Sequence, residues 1–264
     1  MVTARLGQSL PDLAAVTVPE TLAGEQGIVD LWYYAYSEID DEALQTAQAA
    51  LMSADERSRH ERFLFEPDRR MFLAKRALVR TVLSRYASVS PGAWRFGLAA
   101  QGKPYVAAPV VRPALHFNLS NTSGLVVCAV SVAHAQVGVD AEGIDAHAVD
   151  PQLAEMHFAP EETNALRDLP TDERPRRFAA YWTLKESHLK ARGLGLAPGL
   201  DQIALRFDDD NVCARFGPRL AGDAAHWRFA LIDAGQRHLI GLSVNTGGAP
   251  LSLRAARVVP LDGA

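Results

Sequence analysis

The chain predicts an α+β fold in two halves, each built of roughly one sheet with its helices. Three observations lead there. Runs of strand character recur at Ile28 to Tyr36, Leu115 to Ser120, Leu125 to Val132 and Val137 to Glu142, and again at Ile203 to Phe207, Trp227 to Ile232 and Leu239 to Val244. Helical segments alternate with these runs, and the second half repeats the alternation of the first. No low-complexity tract or short repeat is visible. The division falls near Ala133 to Gln136, giving an N-terminal unit 1–133 and a C-terminal unit 134–264.

An irregular, proline-containing stretch runs to about Gly27, after which Ile28 to Tyr36 has the β-branched and aromatic content of a strand. Asp41 to Met52, rich in Ala, Leu and Gln, reads as a helix. Ser53-Ala54-Asp55-Glu56 is a capping-box pattern that opens a second. Asp68 to Ala87 makes a third, with apolar residues at Phe72, Ala74, Leu78, Val79 and Leu83. A loop carrying Gly102-Lys103-Pro104 leads to the strands at Leu115, Leu125 and Val137. Pro151 to Met156 and Pro160 to Leu169 are expected to be helical, and Asp172 to Arg177 a charged linker. Phe178 to Arg192 forms a long helix stopped by Gly193 and Gly195. Asp208-Asp209-Asp210-Asn211 reads as a turn between strands, and the tail from Thr246 as Gly- and Pro-rich, ending in a short apolar stretch at Val258-Val259.

With 48% hydrophobic and 22% charged residues the chain has the balance of an ordinary soluble globular protein, which excludes disorder and a coiled coil. Its longest apolar run, Gly124 to Val132, is far shorter than the roughly 20 residues of a membrane-spanning helix. Asp12 and Glu20 stand among scattered prolines at the N-terminus, in place of a basic flank and apolar core, so a cytoplasmic location is expected. Cys128 and Cys213 sit in apolar surroundings and read as buried thiols of a reducing compartment. A net charge of −4 disfavours general nucleic-acid binding, although basic residues outnumber acidic ones between Arg57 and Arg80.

The chemistry is concentrated in a few short stretches. Trp182, Glu186 and Lys190 recur at intervals of four and would share one helix face. Glutamate four residues before lysine is also the favoured surface pair on any helix, but few exposed faces carry a tryptophan. Asp140 and Glu142 alternate with Ala141 in a strand, so both side chains leave the same face and can approach one cation; the same pattern fits the polar end of a strand running into a turn at Gly143. Gly102-Lys103-Pro104 holds a lysine in a rigid turn, facing either a phosphate or water. Ser120-Asn121-Thr122-Ser123-Gly124 suits an anion-binding loop and equally a simple strand connection. Arg59, Arg69, Arg70, Lys75 and Arg76 fit a solvated helix face as well as a phosphate site. His147 and His157, near Asp140 and Asp145, lack the close-spaced ligand pair of a zinc site.

In order, Gly102-Lys103-Pro104, Phe117-Asn118-Leu119-Ser120-Asn121-Thr122, Gly138-Val139-Asp140-Ala141-Glu142, Phe158-Ala159-Pro160-Glu161-Glu162 and Trp182-Thr183-Leu184-Lys185-Glu186-Ser187-His188-Leu189-Lys190 resemble the motifs of the 4′-phosphopantetheinyl transferases, in the long single-chain Sfp-type form. The resemblance spans roughly Ser53 to Gly195. It implies two similar α/β subdomains related by pseudo-twofold symmetry, with coenzyme A in the cleft between them and a monomeric enzyme. It also implies transfer of the phosphopantetheine arm of coenzyme A to a serine of an apo acyl or peptidyl carrier protein, releasing adenosine 3′,5′-bisphosphate, for fatty-acid, polyketide, nonribosomal-peptide or lysine-pathway machinery.

Carried over residue by residue, the resemblance makes Asp140, Glu142 and Glu186 the ligands of Mg²⁺. Lys190 becomes the lysine that meets the phosphate and neutralises or protonates the departing oxygen. Glu162 is a metal neighbour or water-positioning group, and the general base is either Glu186 or a water that Glu162 orients. Gly102, Lys103 and Pro104 fall at the adenine and 3′-phosphate end of coenzyme A, Ser120 in the phosphate loop, and Arg59, Arg70, Lys75 and Arg76 among the basic residues of the 3′-phosphate. Three positions depart from the pattern. Asn121 stands where many members have histidine, so a contact made by an imidazole passes to an amide that cannot carry positive charge, and weaker coenzyme A binding is expected. Ala141 and Ala159 replace larger or polar residues. Arg174, Arg176 and Arg177 form a basic segment that could steer an acidic carrier helix or simply be solvated.

Overall fold

The structure is a computed structural model that describes residues 27–144, 151–195, 197, 199–208, 211–220, 222–235 and 237–261. The N-terminal stretch expected to be irregular, Asp145, His147 and the middle of the turn at Asp209-Asp210 lie outside the described residues. In chain order the elements are β1 (Ile28–Tyr34), α1 (Glu42–Ala50), α2 (Ala54–Glu61), α3 (Glu66–Leu83), β2 (Arg95–Leu98), β3 (Pro104–Ala108), β4 (His116–Thr122), β5 (Leu125–Ser131) and β6 (Val137–Gly143), then α4 (Pro151–His157), α5 (Pro160–Asp168), α6 (Arg174–Arg192), β7 (Ile203–Asp208), β8 (Asn211–Phe216), β9 (Trp227–Ala234), β10 (His238–Asn245) and β11 (Ser252–Arg257).

Local chemistry sets most of these boundaries. The Asp41 carboxylate accepts from the Leu44 amide at 3.0 Å and starts α1. Ser53 and Glu56 complete the capping box of α2, with the Glu56 amide bonded to the Ser53 hydroxyl at 3.2 Å and the Ser53 amide to the Glu56 carboxylate at 2.9 Å. At the far end of α6, Gly193 adopts φ 64°, a left-handed cap that glycine takes without strain.

Two sheets carry the core. The first has the order β11-β1-β5-β4 and the second β6-β10-β9. One face of the first sheet, with Trp32, Val126, Cys128 and Val130, packs on Ala74, Leu78 and Val82 of α3. Its other face, with Val29, Leu31, Val127 and Ala129, packs on Val137, Val139, Ala141, Ile240 and Leu242 of the second sheet. All seven residues of β5 are therefore buried, as expected of a strand covered on both sides. The opposite face of the second sheet receives α6, where Leu239 joins Phe178, Leu184 and Leu189. Strand alternation then dictates that Gly138, Asp140 and Glu142, out of phase with Val137, Val139 and Ala141, face α6.

Glycine lets that helix come close. A Cβ on Gly138 would overlap the Ser187 carbonyl oxygen and the Ala191 nitrogen, and one on Gly241 would stand 2.7 Å from the Thr183 carbonyl oxygen.

Several expectations are corrected. Arg174 to Arg177 are not linker but the first turn of α6, because Pro175 at the helix start has a pre-set φ and no amide to leave unpaired. The loop around Gly102-Lys103-Pro104 is the turn of a β2–β3 ribbon, and β8 pairs with β7. The tail contains β11, parallel to β1 and fastened by Arg254, whose Nε and Nη2 donate to the buried Asp30 carboxylate at 2.6 and 3.1 Å. Its Ser-Leu-Arg-Ala-Ala-Arg sequence has no strand alternation of its own. Cys213 is exposed on β8 whereas Cys128 is buried, and both are free thiols.

Candidate functional site

A cavity of about 1280 Å³ opens between α2, α3, the β2–β3 ribbon and β4 on one side and β6 and α6 on the other. Along α6 from Phe178 to Ala191 every residue is buried except Trp182, Glu186 and Lys190, and these three line the cavity. The four-residue spacing read from the sequence is thus the one stripe of a nearly enclosed helix that reaches open space.

Asp140 and Glu142 enter the same cavity from β6. Asp140 is nearly enclosed, and its Oδ1 accepts from the Ser120 hydroxyl at 2.8 Å and from the Lys190 ammonium at 2.5 Å. Lys190 also donates to Ser120 at 2.9 Å, so β4, β6 and α6 are joined through three side chains. The Asn118 amide oxygen accepts from the Val139 amide at 2.9 Å and holds β4 beside β6. Asp140 Oδ2 is buried and has no hydrogen-bond partner, a costly state for a carboxylate oxygen.

Glu142 is pushed up to about 7 by burial and by the charges of Asp140 and Glu186, against the pull of Lys190. Glu186 is raised by burial and by Asp140, again opposed by Lys190. Among the described residues no three His, Cys, Asp or Glu side chains are arranged to enclose an ion, and the Lys190 ammonium occupies one oxygen of Asp140. The chemistry of the donor set nevertheless fits a hard divalent cation: all oxygen, with one buried atom of Asp140 orphaned and the carboxyls of Glu142 and Glu186 raised by burial and by the Asp140 charge.

The basic side of the cavity contains Arg59, Lys75, Arg76 and Lys103. Lys75 donates to Asn121 Oδ1 at 2.6 Å, and the Asn121 amide nitrogen donates to the Met71 sulfur at 2.9 Å. Burial, together with Arg76, Lys190 and Arg59, brings the Lys75 ammonium down to about 8. Arg76 and Arg59 stand over the Phe72 ring at 5.0 and 5.7 Å, and Arg76 lies 3.6 Å from Glu56. Gly102 and Pro104 also border the cavity, Gly102 at φ 83° in the ribbon turn. Lys103 turns its ammonium to main-chain carbonyls, donating to Val137 at 3.1 Å and to Ala191 at 2.8 Å.

Two expected site residues lie elsewhere. Arg70 stands more than about 100° around α3 from Lys75 and Arg76. It donates to the Ile39 carbonyl at 3.1 Å, beside Tyr34 and Tyr36. Glu162 is buried away from the cavity. One oxygen accepts from the Ala159 amide at 2.8 Å and pairs with the Lys185 ammonium, and the other accepts from the Leu205 amide at 2.7 Å. Both oxygens are thus engaged in joining α5, α6 and β7. His157 packs edge-on against Trp182 at 5.6 Å.

The basic segment is also committed within the chain. Arg174 donates to the Leu169 and Arg167 carbonyls at the end of α5, Arg176 pairs with Asp233, and Arg177 lies over Phe207 at 4.5 Å.

Sequence reasoning passed over Lys185, Gly138 and His188. A lysine amid the buried residues of α6 points to an internal partner, but Glu162 is 23 positions away in the chain. Glycines inside buried strands were the signal for close helix approach. His188 points away from the cavity, its ring 4.2 Å from Trp227 and 4.5 Å from Phe216, and burial with nearby Arg192 holds it down to about 3.

Comparison with known proteins gives consistent matches. The family profile of the 4′-phosphopantetheinyl transferase superfamily matches residues 136–243, and that of the 4′-phosphopantetheinyl transferase N-terminal region matches residues 40–133. The 4′-phosphopantetheinyl transferase HetI of Nostoc sp. is 39% identical over 60% of this chain and 65% of its own, so the match spans just under two thirds of that relative. A Bacillus subtilis 4′-phosphopantetheinyl transferase is 32% identical over 61% of this chain and 69% of its own. A phosphopantetheinyl transferase of Thraustochytrium sp. is 30% identical over 77% and 73%. The crystal structure of Thermotoga maritima holo-[acyl-carrier-protein] synthase overlays 42% of this chain and 63% of its own at TM-score 0.35 and 19% identity, too partial an overlay to bear on the fold.

Proposed function

This chain belongs to the 4′-phosphopantetheinyl transferases, and from that premise we propose that it moves the phosphopantetheine arm of coenzyme A onto a serine hydroxyl of an apo acyl or peptidyl carrier protein, with Mg²⁺ as cofactor. The observation that carries the reading is the convergence, in one cavity, of Asp140, Glu142 and Glu186 with Lys190 and Ser120, beside the cations Arg59, Lys75 and Arg76.

The reaction is an in-line displacement at the β-phosphorus. A bond forms between the serine oxygen and phosphorus, the pyrophosphate bridge breaks, and adenosine 3′,5′-bisphosphate departs. Asp140, Glu142 and Glu186 would hold the cation, which would supply positive charge to offset that of the phosphates. Lys190 offsets charge on the departing oxygen, and Ser120 orients Lys190 and Asp140. A carboxylate oxygen of Glu186, which lines the same cavity, takes the serine proton. Glu162, enclosed in its pair with Lys185, positions α6 from behind, so no water is assigned to it. Arg59, Lys75 and Arg76 meet the phosphates on the opposite wall, where arginine's fork suits a dianion.

The units 1–133 and 134–264 are read as pseudo-twofold-related halves with the cavity as their cleft. Supporting this, β1-β5-β4 and β6-β10-β9 share one order of first, last and penultimate strand once β11, which the second unit lends to the first sheet, is set aside, with α3 and α6 inserted at matching points. A site formed within one chain supports a monomer; a cytoplasmic location is kept as part of the proposal, and no membrane or nucleic-acid partner is assigned. Among the described residues no helix is long and apolar enough to cross a membrane.

The test is intact-protein mass spectrometry of a panel of apo carriers from fatty-acid, polyketide, nonribosomal-peptide and lysine-pathway systems, incubated with coenzyme A, Mg²⁺ and the protein. A gain of one phosphopantetheine that vanishes without Mg²⁺ or with Glu186→Ala is expected. Unmodified carriers throughout the panel, or nucleotide hydrolysis without any carrier, would overturn the proposal.

A further inference from the structure

Lys103 is the one cavity lysine whose ammonium hydrogen bonds go to main-chain carbonyls across the cavity rather than to side chains. It sits in the turn of the β2–β3 ribbon, and its Nζ donates to the carbonyls of Val137, the first residue of β6, and Ala191, in the last turn of α6. The carbonyls of a helix's last turn have no partners within the helix and carry the negative end of its dipole. An ammonium there acts as a side-chain cap supplied from a distant part of the chain. The stem lies against Gly193, whose Cβ position would be 3.6 Å from Lys103 Cδ, so the left-handed exit of α6 and the lysine share one contact.

We propose that Lys103 is a positioning residue that fastens the β2–β3 ribbon to the end of α6 and to the start of β6, and thereby holds Lys190 in register with Asp140. The geometry supports this from both ends. Ala191 is the neighbour of Lys190 on α6, and Val137 lies three residues before Asp140 on β6. Releasing both carbonyls loosens the terminal turn, which is also closed by the Gly193 amide to Lys190 at 3.2 Å and the Leu194 amide to Leu189 at 3.2 Å. The placement also separates Lys103 from Lys75, whose ammonium bonds to a side-chain amide inside the cavity. The clasp takes two of the three ammonium N–H groups and leaves the third for the coenzyme A role that the family resemblance implies for Lys103. Burial alone brings this ammonium down to about 8, and no carboxylate contributes to holding its charge.

The effect on Lys190 deepens the transferase reading and rests on it, but the clasp itself is testable without substrate. The experiment compares the full-length wild type with Lys103→Met, which keeps the stem and loses the donors. Backbone hydrogen exchange is followed in the ligand-free protein over residues 190–195, with β5 as the internal control for global unfolding. The expected result is at least tenfold faster exchange at Gly193 and Leu194 with β5 unchanged. On any carrier that wild type modifies, kcat at saturating coenzyme A should fall at least tenfold. To separate lost donors from altered packing of the stem, Lys103→Cys in a Cys213→Ser background is aminoethylated to rebuild an ammonium at the same reach, and slow exchange at Gly193 should return. Unchanged exchange in Lys103→Met, or exchange that stays fast after aminoethylation, would overturn the clasp. Failure of wild type to modify any carrier would count against the transferase reading and leave the exchange result to decide the clasp.

Discussion

Replacing Gly138 by alanine probes the contact on which the cavity's geometry depends. Gly138 lies on β6 two residues before Asp140, on the face that meets α6, where an added Cβ would overlap the Ser187 carbonyl oxygen and the Ala191 nitrogen. The third neighbour, the Ala191 Cα, would be 2.7 Å away, whereas ordinary contact begins at 3.4 Å. All three atoms are main chain, so no side-chain rotation relieves the overlap. The helix must withdraw by roughly 1 Å, and overpacking of this kind costs about 1–3 kcal/mol. The displaced segment carries Glu186 and Lys190, and a misplacement of about 1 Å at a reacting centre costs on the order of 100-fold in rate. We therefore expect Gly138→Ala to lower the urea midpoint by an amount matching about 1–3 kcal/mol at unchanged m, and to lower kcat on a responsive carrier by roughly 100-fold. Gly241→Ala, with its nearest atom at 2.7 Å, should show the same effects more weakly. Wild-type stability and turnover in Gly138→Ala would refute the argument that close backbone approach sets the site.

Glu162→Gln or Lys185→Met should each cost about 3–5 kcal/mol in urea unfolding, because a buried charge is left without its partner, while replacing both by apolar residues restores most of the loss; equal losses for single and double variants would sink the ion-pair account. Arg76→Ala should weaken coenzyme A binding at least tenfold in calorimetry and Arg70→Ala less than twofold, since only Arg76 borders the cavity. Asn121→His gives up the oxygen that accepts from Lys75 but supplies a ring able to carry positive charge, and is expected to tighten coenzyme A binding; weaker binding would show that the Lys75–Asn121 bond matters more than the charge. For pH dependence, Lys75 is held near 8 in the folded chain, below its ordinary value of 10.5. Between these values the unfolded chain binds the proton and the folded chain does not, so stability rises with pH across that window; Lys75→Met should flatten the rise, and an identical slope would exclude Lys75 as its source.

What the sequence by itself determined was local. The capping box at Ser53 and Glu56, the common face of Asp140 and Glu142, and the stripe of Trp182, Glu186 and Lys190 depend on periodicities and neighbours within a few residues, which the chain carries whatever surrounds it. The order of motifs carried the family in the same way. What only the tertiary structure decided was where long side chains spend their hydrogen bonds. Glu162 and Lys103 carry groups suited to a reacting cavity, yet one is enclosed with Lys185 and the other reaches Val137 and Ala191, because packed layers brought those partners within hydrogen-bond reach. Arg70 left the cavity through its angle on α3, and β11 became a strand only by lying against β1, with Arg254 meeting Asp30 across 224 positions of chain. Such contacts form only once loop closure has been offset by burial of the whole core, and so they leave no mark in the spacing of neighbouring residues.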